Sequence, residues 1–236
     1  MTTPRLIEDQ ITGSSFSRTV WLQSPAGASA THAVIFLDAE IFIERVNAPA
    51  VIAELQVAGR IPPTLAVYIS HNGAAARHAD FTCNLDYAVF IAQVVRPWVL
   101  AKQATVEPSS CVLTGLSLSG LAALHAAVRF SNHFASLIAQ SPSMWWEQER
   151  FARLLEPVEG PRPRVWISVG DQETETDVKH PPSGLHQQTS QIDSCGRACE
   201  AFRAAGYDTH DRVFHGGHDC ECWREDLAQA LPWALR

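Results

Sequence analysis

The chain has 236 residues, of which 46% are apolar and 18% are charged, and its formal net charge is −7. A chain of this length can bury a proper core without a metal or a disulfide, and its composition excludes disordered, collagen-like and coiled-coil proteins. The acidic balance argues against a nucleic-acid partner, because such binding requires a basic footprint.

Short apolar strands alternate with helices along the chain. The predicted strands, in chain order, are 17–23, 33–37, 64–70, 111–114, 135–140, 165–169 and 211–214. The predicted helices are 48–58, 86–101, 116–130, 146–155, 186–205 and 223–235. This alternation predicts βαβ units and an α/β fold, with a mostly parallel central sheet covered by helices on both faces.

No run of about 18 apolar residues is present, so we expect no membrane span and no membrane partner. Residues 1–10 include Glu8 and Asp9 and lack an apolar segment, so we expect no secretory signal. We therefore predict a cytoplasmic location. The sequence does not indicate an oligomeric state.

The six cysteines are expected to be reduced in that compartment. Ile192, Cys195, Cys199 and Phe202 have the spacing of one helix face, which predicts buried thiols. The alternative is a metal site that adds His215, Cys220 and Cys222 to the two thiols, but these spacings match no familiar zinc pattern. We therefore expect no metal and no other cofactor.

Candidate catalytic residues follow three predicted strands, and open α/β sheets bind ligands at the carboxyl ends of their strands. Gly-x-Ser occurs at Ser15, Ser29 and Ser117, but only Ser117 lies between a predicted strand and a predicted helix and is followed by glycine three residues later. A nucleophilic serine requires such a sharp turn, and small neighbours let the strand and helix approach.

A general base and a carboxylate follow two later strands. His218 comes after paired glycines and is favoured over His215, which still belongs to the strand end. Asp171 and Glu173 follow the strand 165–169 at the start of a long polar segment, 171–184, and either could orient the base. The order serine, acid, histidine is that of the α/β-hydrolases.

At these residues the chain resembles the enterochelin-esterase-like branch of the α/β-hydrolases, which also includes feruloyl esterases, S-formylglutathione hydrolase and mycolyl transferases. The resemblance covers roughly residues 33–235. It is carried by the elbow at Ser117, the segment 141–146 with its double tryptophan, the segment 77–84 before the long helix, and the ending 217–223 with His218, Asp219 and Trp223.

The resemblance implies a single α/β-hydrolase domain over residues 1–236, without the large N-terminal domain of enterochelin esterases and without a cap domain. It favours Glu173 over Asp171, because the carboxylate of this branch commonly stands three residues after the glycine that ends its strand. It places the oxyanion hole at the backbone N–H groups of Leu118 and Ala39, where relatives often have glycine in place of Ala39.

These observations together predict a serine esterase that cleaves a small-molecule carboxylic ester, possible substrates being siderophore, aryl and short-acyl esters. We expect Trp145 and Trp146 to line the substrate pocket and Arg77 to hold an anionic substrate group. One alternative is an acyltransferase that uses the same residues. The other is a non-catalytic binding protein on the same fold, suggested by Ala39 and Glu40.

Overall fold

The computed structural model of the chain describes residues 4–13, 15–157, 159–181 and 183–236. Its strands are β1 (Ile7–Gly13), β2 (Phe16–Gln23), β3 (His32–Leu37), β4 (Thr64–Ile69), β5 (Cys111–Leu116), β6 (Ser136–Gln140), β7 (Arg164–Gly170), β8 (Val178–His180), β9 (Leu185–Gln187) and β10 (Thr209–Phe214). Its α-helices are α1 (Ala39–Glu44), α2 (Ala48–Val57), α3 (Ala74–Phe81), α4 (Leu85–Phe90), α5 (Arg96–Lys102), α6 (Ser117–Arg129), α7 (Trp146–Arg153), α8 (Gln191–Ala204) and α9 (Cys220–Ala234).

Eight strands form the central sheet in the order β1-β2-β4-β3-β5-β6-β7-β10. The six strands from β4 to β10 in this order are parallel, whereas β1 and β2 pair antiparallel at one edge. Five of these strands, β4, β3, β5, β6 and β7, are buried on both faces, which explains their apolar sequences, whereas the edge strand β10 is mostly exposed. The predicted α/β-hydrolase fold, with its mostly parallel sheet, is confirmed.

Two apolar layers cover the sheet. Ile35 and Leu113 belong to the layer beneath α6 and α8, whereas Val34 and Phe36 face the layer formed by α2 and α9. Successive strand residues point to opposite faces, so each of the five buried parallel strands contributes to both layers. Because these strands are parallel, their carboxyl ends lie along the same edge of the sheet, between the two apolar layers.

The predicted helix 86–101 is not one regular α-helix. A π-helical turn, Ile91–Val95, separates α4 from α5. Pro97 lies at the start of α5, which continues directly from this turn, so the helical segment lacks one N–H donor there. The apolar periodicity marks the helical segment but does not reveal the wider turn.

The predicted helix 186–205 begins later, at Gln191. Ser190 caps the helix, since its Oγ accepts a hydrogen bond from the backbone N–H of Asp193. The residues before it fold back instead, so His186 lies in β9 opposite Lys179 of β8. The long polar segment 171–184 therefore contains part of a two-stranded ribbon; its Pro182 lies outside the described residues.

Three further elements, β1, α1 and α3, were not predicted. Four of the seven residues of β1 are exposed and four are polar, because this strand pairs only with β2 at the sheet edge. The helix α7 occupies its predicted position but contains left-handed φ values at Glu147, Gln148 and Glu149, a conformation that side-chain patterns do not signal.

Cys195 and Cys199 lie on the buried face of α8 together with Phe202, as the helical spacing predicted. Burial raises the pKa of the Cys199 thiol to about 12 and raises that of Cys195 well above its usual range. Among the described residues, no helix is both long enough and apolar enough to cross a bilayer.

Candidate active site

The turn between β5 and α6 presents Ser117 above the sheet. Ser117 has a φ of +50°, a strained value for a residue with a side chain. Gly115 makes this turn possible, because a Cβ there would lie 2.2 Å from the carbonyl oxygen of Ser119. Ser119 stabilises the turn: its Oγ donates to the carbonyl of Leu116 at 2.7 Å and accepts from the N–H of Leu116 at 3.0 Å.

His218 approaches Ser117 from the loop after β10. Its Nε2 lies 3.0 Å from Oγ of Ser117, and its Nδ1 lies 2.6 Å from Oε2 of Glu173. A carboxylate can only accept, so Nδ1 carries the proton and Nε2 is left to accept from the serine hydroxyl. The ring of Trp223 contacts the imidazole edge-on, with centroids 4.7 Å apart.

Two carboxylates follow β7 and have different partners. Glu173 contacts His218, whereas Asp171 contacts His215 at 3.0 Å and accepts from the backbone N–H of Gly216 at 3.0 Å. These two hydrogen bonds, that of Gly216 first, lower the pKa of the Asp171 carboxyl. Asp171 therefore secures the loop that carries His218 without contacting it.

A buried network fixes the second oxygen of Glu173. Its Oε1 accepts from the backbone N–H of Gly170 at 2.7 Å and from Oγ of Ser141 at 2.6 Å. Ser141 in turn accepts from the indole N–H of Trp223 at 3.0 Å. Ser141, Glu173 and Trp223 are all buried, so the carboxylate is held without competition from water.

The two residues expected to form the oxyanion hole, Leu118 and Ala39, lie at the starts of helices that follow neighbouring strands. Leu118 lies in the first turn of α6 and Ala39 begins α1. The strands that precede these helices, β5 and β3, are neighbours, with Phe36 opposite Thr114. The N–H groups of a first helical turn have no partner within their own helix, so both remain available as donors.

Arg77 is bound to a buried carboxylate. Its guanidinium donates to both oxygens of Asp38, with Nε 2.8 Å and Nη2 2.6 Å from Oδ2. Asp38 is fully buried and has a left-handed φ of 74° directly before Ala39. The pair therefore fixes the backbone at the start of α1, a different contact from the anionic substrate group expected for Arg77.

Asp38, Glu40 and His71 place their oxygen and nitrogen atoms within 4.8 Å of one another, close enough to hold a cation. Each carboxylate already has protein partners, however. Asp38 binds Arg77, and Glu40 accepts from the hydroxyl of Ser70 and the backbone N–H of His71. The cluster links the loops after β3 and β4.

A cavity of about 340 Å³ opens beside Ser117 and His218. Trp145 lines it, with its indole stacked on His180 and its N–H donating to Gln191. Trp146, expected in the same pocket, instead lines a separate cavity of about 740 Å³. Arg77 is likewise not among the described residues that line the cavity at Ser117.

Several residues of this region were not singled out in the sequence. Gln191 donates to the carbonyl groups of Ser141 and Pro142, and Glu175, Val178 and His180 line the cavity. The length and polarity of the segment 171–184 are the only sequence signals for this wall. Nothing local in the sequence marks Gln191, because its partners lie about 50 residues away.

Comparisons with known proteins identify the family of the chain. The family model described as "Putative esterase" matches residues 15–234. An iron(III) enterobactin esterase of Dickeya dadantii is 27% identical over 208 residues, which cover 85% of this chain and 47% of the relative. The corresponding esterase of Escherichia coli strain K12 is 26% identical, covering 91% and 53%. The chain thus spans about half the length of these curated relatives.

Solved structures show the same fold. An enterobactin esterase of Shigella flexneri superposes with a TM-score of 0.79 at 22% identity, covering 99% of this chain and 59% of that one. A ferulic acid esterase superposes with a TM-score of 0.76 at 18% identity, covering 100% and 99%. Because the family model matches nearly the whole sequence, the chain belongs to this esterase family, as an enterochelin-esterase-like member.

Proposed function

We propose that the protein is a serine ester hydrolase. The observation that carries this proposal is the hydrogen-bonded series from Ser117 through His218 to Glu173, at 3.0 and 2.6 Å. A nucleophile, a base and a buried carboxylate in this order are what acyl transfer to a serine requires.

In the proposed mechanism, Oγ of Ser117 attacks the ester carbonyl while Nε2 of His218 takes its proton. The carbonyl oxygen becomes an oxyanion, which the N–H groups of Leu118 and Ala39 would bind; one such donor contributes about 3 kcal/mol to lowering the barrier. His218 then gives its proton to the leaving alcohol. Water, activated by the same imidazole, releases the acid from the acyl-enzyme and restores the serine.

Glu173 would hold the imidazole in one tautomer and stabilise its cationic form. Ser141 and the N–H of Gly170 occupy the other oxygen of Glu173, so the carboxylate keeps its orientation when the imidazole is charged. Each proton in this sequence moves between the serine, the imidazole, the leaving alcohol and water, so the proposed reaction uses no metal or other cofactor.

The proposed substrate is a small-molecule carboxylic ester. The names of the relatives point to siderophore and feruloyl esters, and a siderophore hydrolase of Aspergillus nidulans also superposes on the chain with a TM-score of 0.74. We propose siderophore, aryl and short-acyl esters as the classes to be assayed first.

The decisive experiment combines labelling with substitution. A fluorophosphonate should label Ser117, and Ser117→Ala should abolish labelling and lower kcat by about 10⁴- to 10⁶-fold. The control is Ser29→Ala, which removes an exposed serine from another Gly-x-Ser sequence and should leave both unchanged. Full turnover by Ser117→Ala, or labelling at Ser119, would refute the assignment.

A further inference from the structure

The cavity beside Ser117 is lined by two carboxylates and by no lysine or arginine among the described residues. Its other polar side chains are three glutamines, two serines and two histidines: Gln172, Gln187, Gln191, Ser117, Ser143, His180 and His218. The Glu173 carboxylate is already occupied by His218, Ser141 and Gly170. Glu175 therefore carries the negative charge that a bound molecule meets.

Glu175 is exposed at the rim of the cavity, and its carboxylate has no hydrogen bond or ion pair with the described side chains. Its backbone carbonyl accepts a hydrogen bond from Nε2 of Gln187 at 3.2 Å, which ties it to β9. Its charge is thus not cancelled locally.

Neither Arg77 nor Lys179 lines the cavity with Glu175. Arg77 is paired with Asp38. Lys179 is exposed between Val178 and His180, which both line the cavity. Because successive residues of a strand point to opposite faces, Lys179 points away from it. The chain as a whole also carries a net charge of −7.

We propose that this cavity selects esters with a cationic group, such as a quaternary ammonium, over esters with an anionic group, and that Glu175 is the determinant. The proposal rests on the proposed function, since it concerns the substrate of the same site. Two unit charges a few Å apart interact by about 1 kcal/mol even in water, and a cavity of one sign concentrates ligands of the opposite sign.

The test uses three 4-nitrophenyl 3-arylpropanoates that differ only in the para substituent: trimethylammonium, tert-butyl or sulfonate. Their shapes are closely similar and their charges are +1, 0 and −1. Each kcat/KM, measured at pH 8 and low ionic strength, is divided by the rate constant for hydroxide with the same ester. We expect the cationic ester to exceed the anionic ester about tenfold, and 0.5 M NaCl to reduce this ratio.

Glu175→Gln should lower the ratio to within about twofold of unity. The matched control is Glu200→Gln, which removes the same unit of charge from an exposed position nine residues beyond the start of α8 and should keep the ratio of the unmodified protein. An equal or greater rate with the sulfonate ester would overturn the proposal, as would a ratio that Glu175→Gln leaves intact.

Binding separates this proposal from the hydrolytic function. Calorimetric titration of Ser117→Ala with the three matching N-methyl amides measures the same preference without turnover. Tighter binding of the cationic amide, together with no hydrolysis of any ester by the unmodified protein, would refute the hydrolase and retain the charge preference. Hydrolysis of the neutral ester, with equal rates for the cationic and anionic esters, would support the hydrolase and refute the charge preference.

Discussion

Glu173 uses its two oxygens for different partners, one for the imidazole of His218 and one for Ser141 and Gly170. Glu173→Gln would replace an acceptor by an amide and disturb the tautomer of His218. We expect kcat to fall by about 10⁴-fold with little change in KM. Steady-state kinetics with a nitrophenyl ester would measure both constants.

Asp171→Asn is the matched variant, because Asp171 stands two residues away and contacts His215 and Gly216 instead. It should lower kcat far less than Glu173→Gln. A larger loss in Asp171→Asn would mean that the acid is misassigned, and no loss in either variant would indicate a Ser–His dyad.

Ser141 contacts the acid rather than the nucleophile, so we expect it to act as a positioning residue. Ser141→Ala should lower kcat by about 10- to 100-fold and leave KM nearly unchanged. Because the carboxylate would then direct more of its charge to His218, the acidic limb of the pH profile of kcat/KM should move to higher pH. Trp223→Phe, which removes the N–H donated to Ser141 and also makes the ring beside His218 smaller, should move the limb in the same direction. An unmoved limb in both variants would refute this role.

At the scale of single elements, the turn between β5 and α6 depends on close backbone contact. Gly115→Ala would place a Cβ 2.2 Å from the Ser119 oxygen, and because both groups are backbone-anchored the turn must open. We expect a loss of about 2–4 kcal/mol in the free energy of unfolding, together with a loss of turnover. Urea denaturation and ester hydrolysis would measure these effects.

Gly196→Ala is the control for that substitution. Gly196 lies within α8, where an added Cβ would meet no heavy atom within 4 Å, so alanine should stabilise the helix by up to about 1 kcal/mol. Comparable destabilisation by both variants would contradict the argument from the turn.

The sequence predicted those elements in which buried apolar residues recur at regular spacing. Local sequence was sufficient to predict β3, β4 and β5 from their apolar runs and α6 from its small residues. In contrast, β1 is polar because it lies at an edge, and the start of α8 depends on the Ser190 cap and on the β8–β9 ribbon. Such boundaries are decided by neighbours that are distant in sequence or by backbone geometry, which residue patterns do not encode.

At the scale of the whole molecule, one buried histidine couples stability to pH. His125 is 5% exposed, and burial, with a smaller contribution from Arg129, lowers its pKa to about 4 from an ordinary value of 6.5. The unfolded chain therefore binds a proton at a pH where the folded chain does not. The contribution of the neutral, buried His125 to the free energy of unfolding is fully present above pH 6.5 and decreases as the pH falls towards 4.

His125→Leu should remove this contribution. Between pH 7.5 and pH 5, the unmodified protein should lose about 2 kcal/mol more of its free energy of unfolding than the variant does. Urea denaturation at the two pH values would measure the difference. The contributions of the other titrating groups cancel, because both proteins contain them. Equal losses in the two proteins would contradict the prediction.

The site shows the same division between local and distant causes. Ser117, Glu173 and His218 follow three strand ends of one parallel sheet, so the fold class alone brings these positions together. The partner of Arg77 could not be foreseen, because Asp38 lies 39 residues away and its burial depends on the packing of α1. The different environments of Trp145 and Trp146 depend similarly on the path of the chain around α7.

The acid and much of the cavity wall belong to one continuous stretch of chain: Glu173 is followed by Glu175, the ribbon and then Gln191. Both ends of this stretch are anchored, at Gly170 by the network around Glu173 and at Gln191 by its bonds to the loop after β6. Insertions or exchanges confined to residues 176–189 should therefore change the range of substrates while the positions of Ser117, Glu173 and His218 are preserved. A graft that extended past either anchor would alter both together, which gives a physical limit for evolving or engineering new specificities on this scaffold.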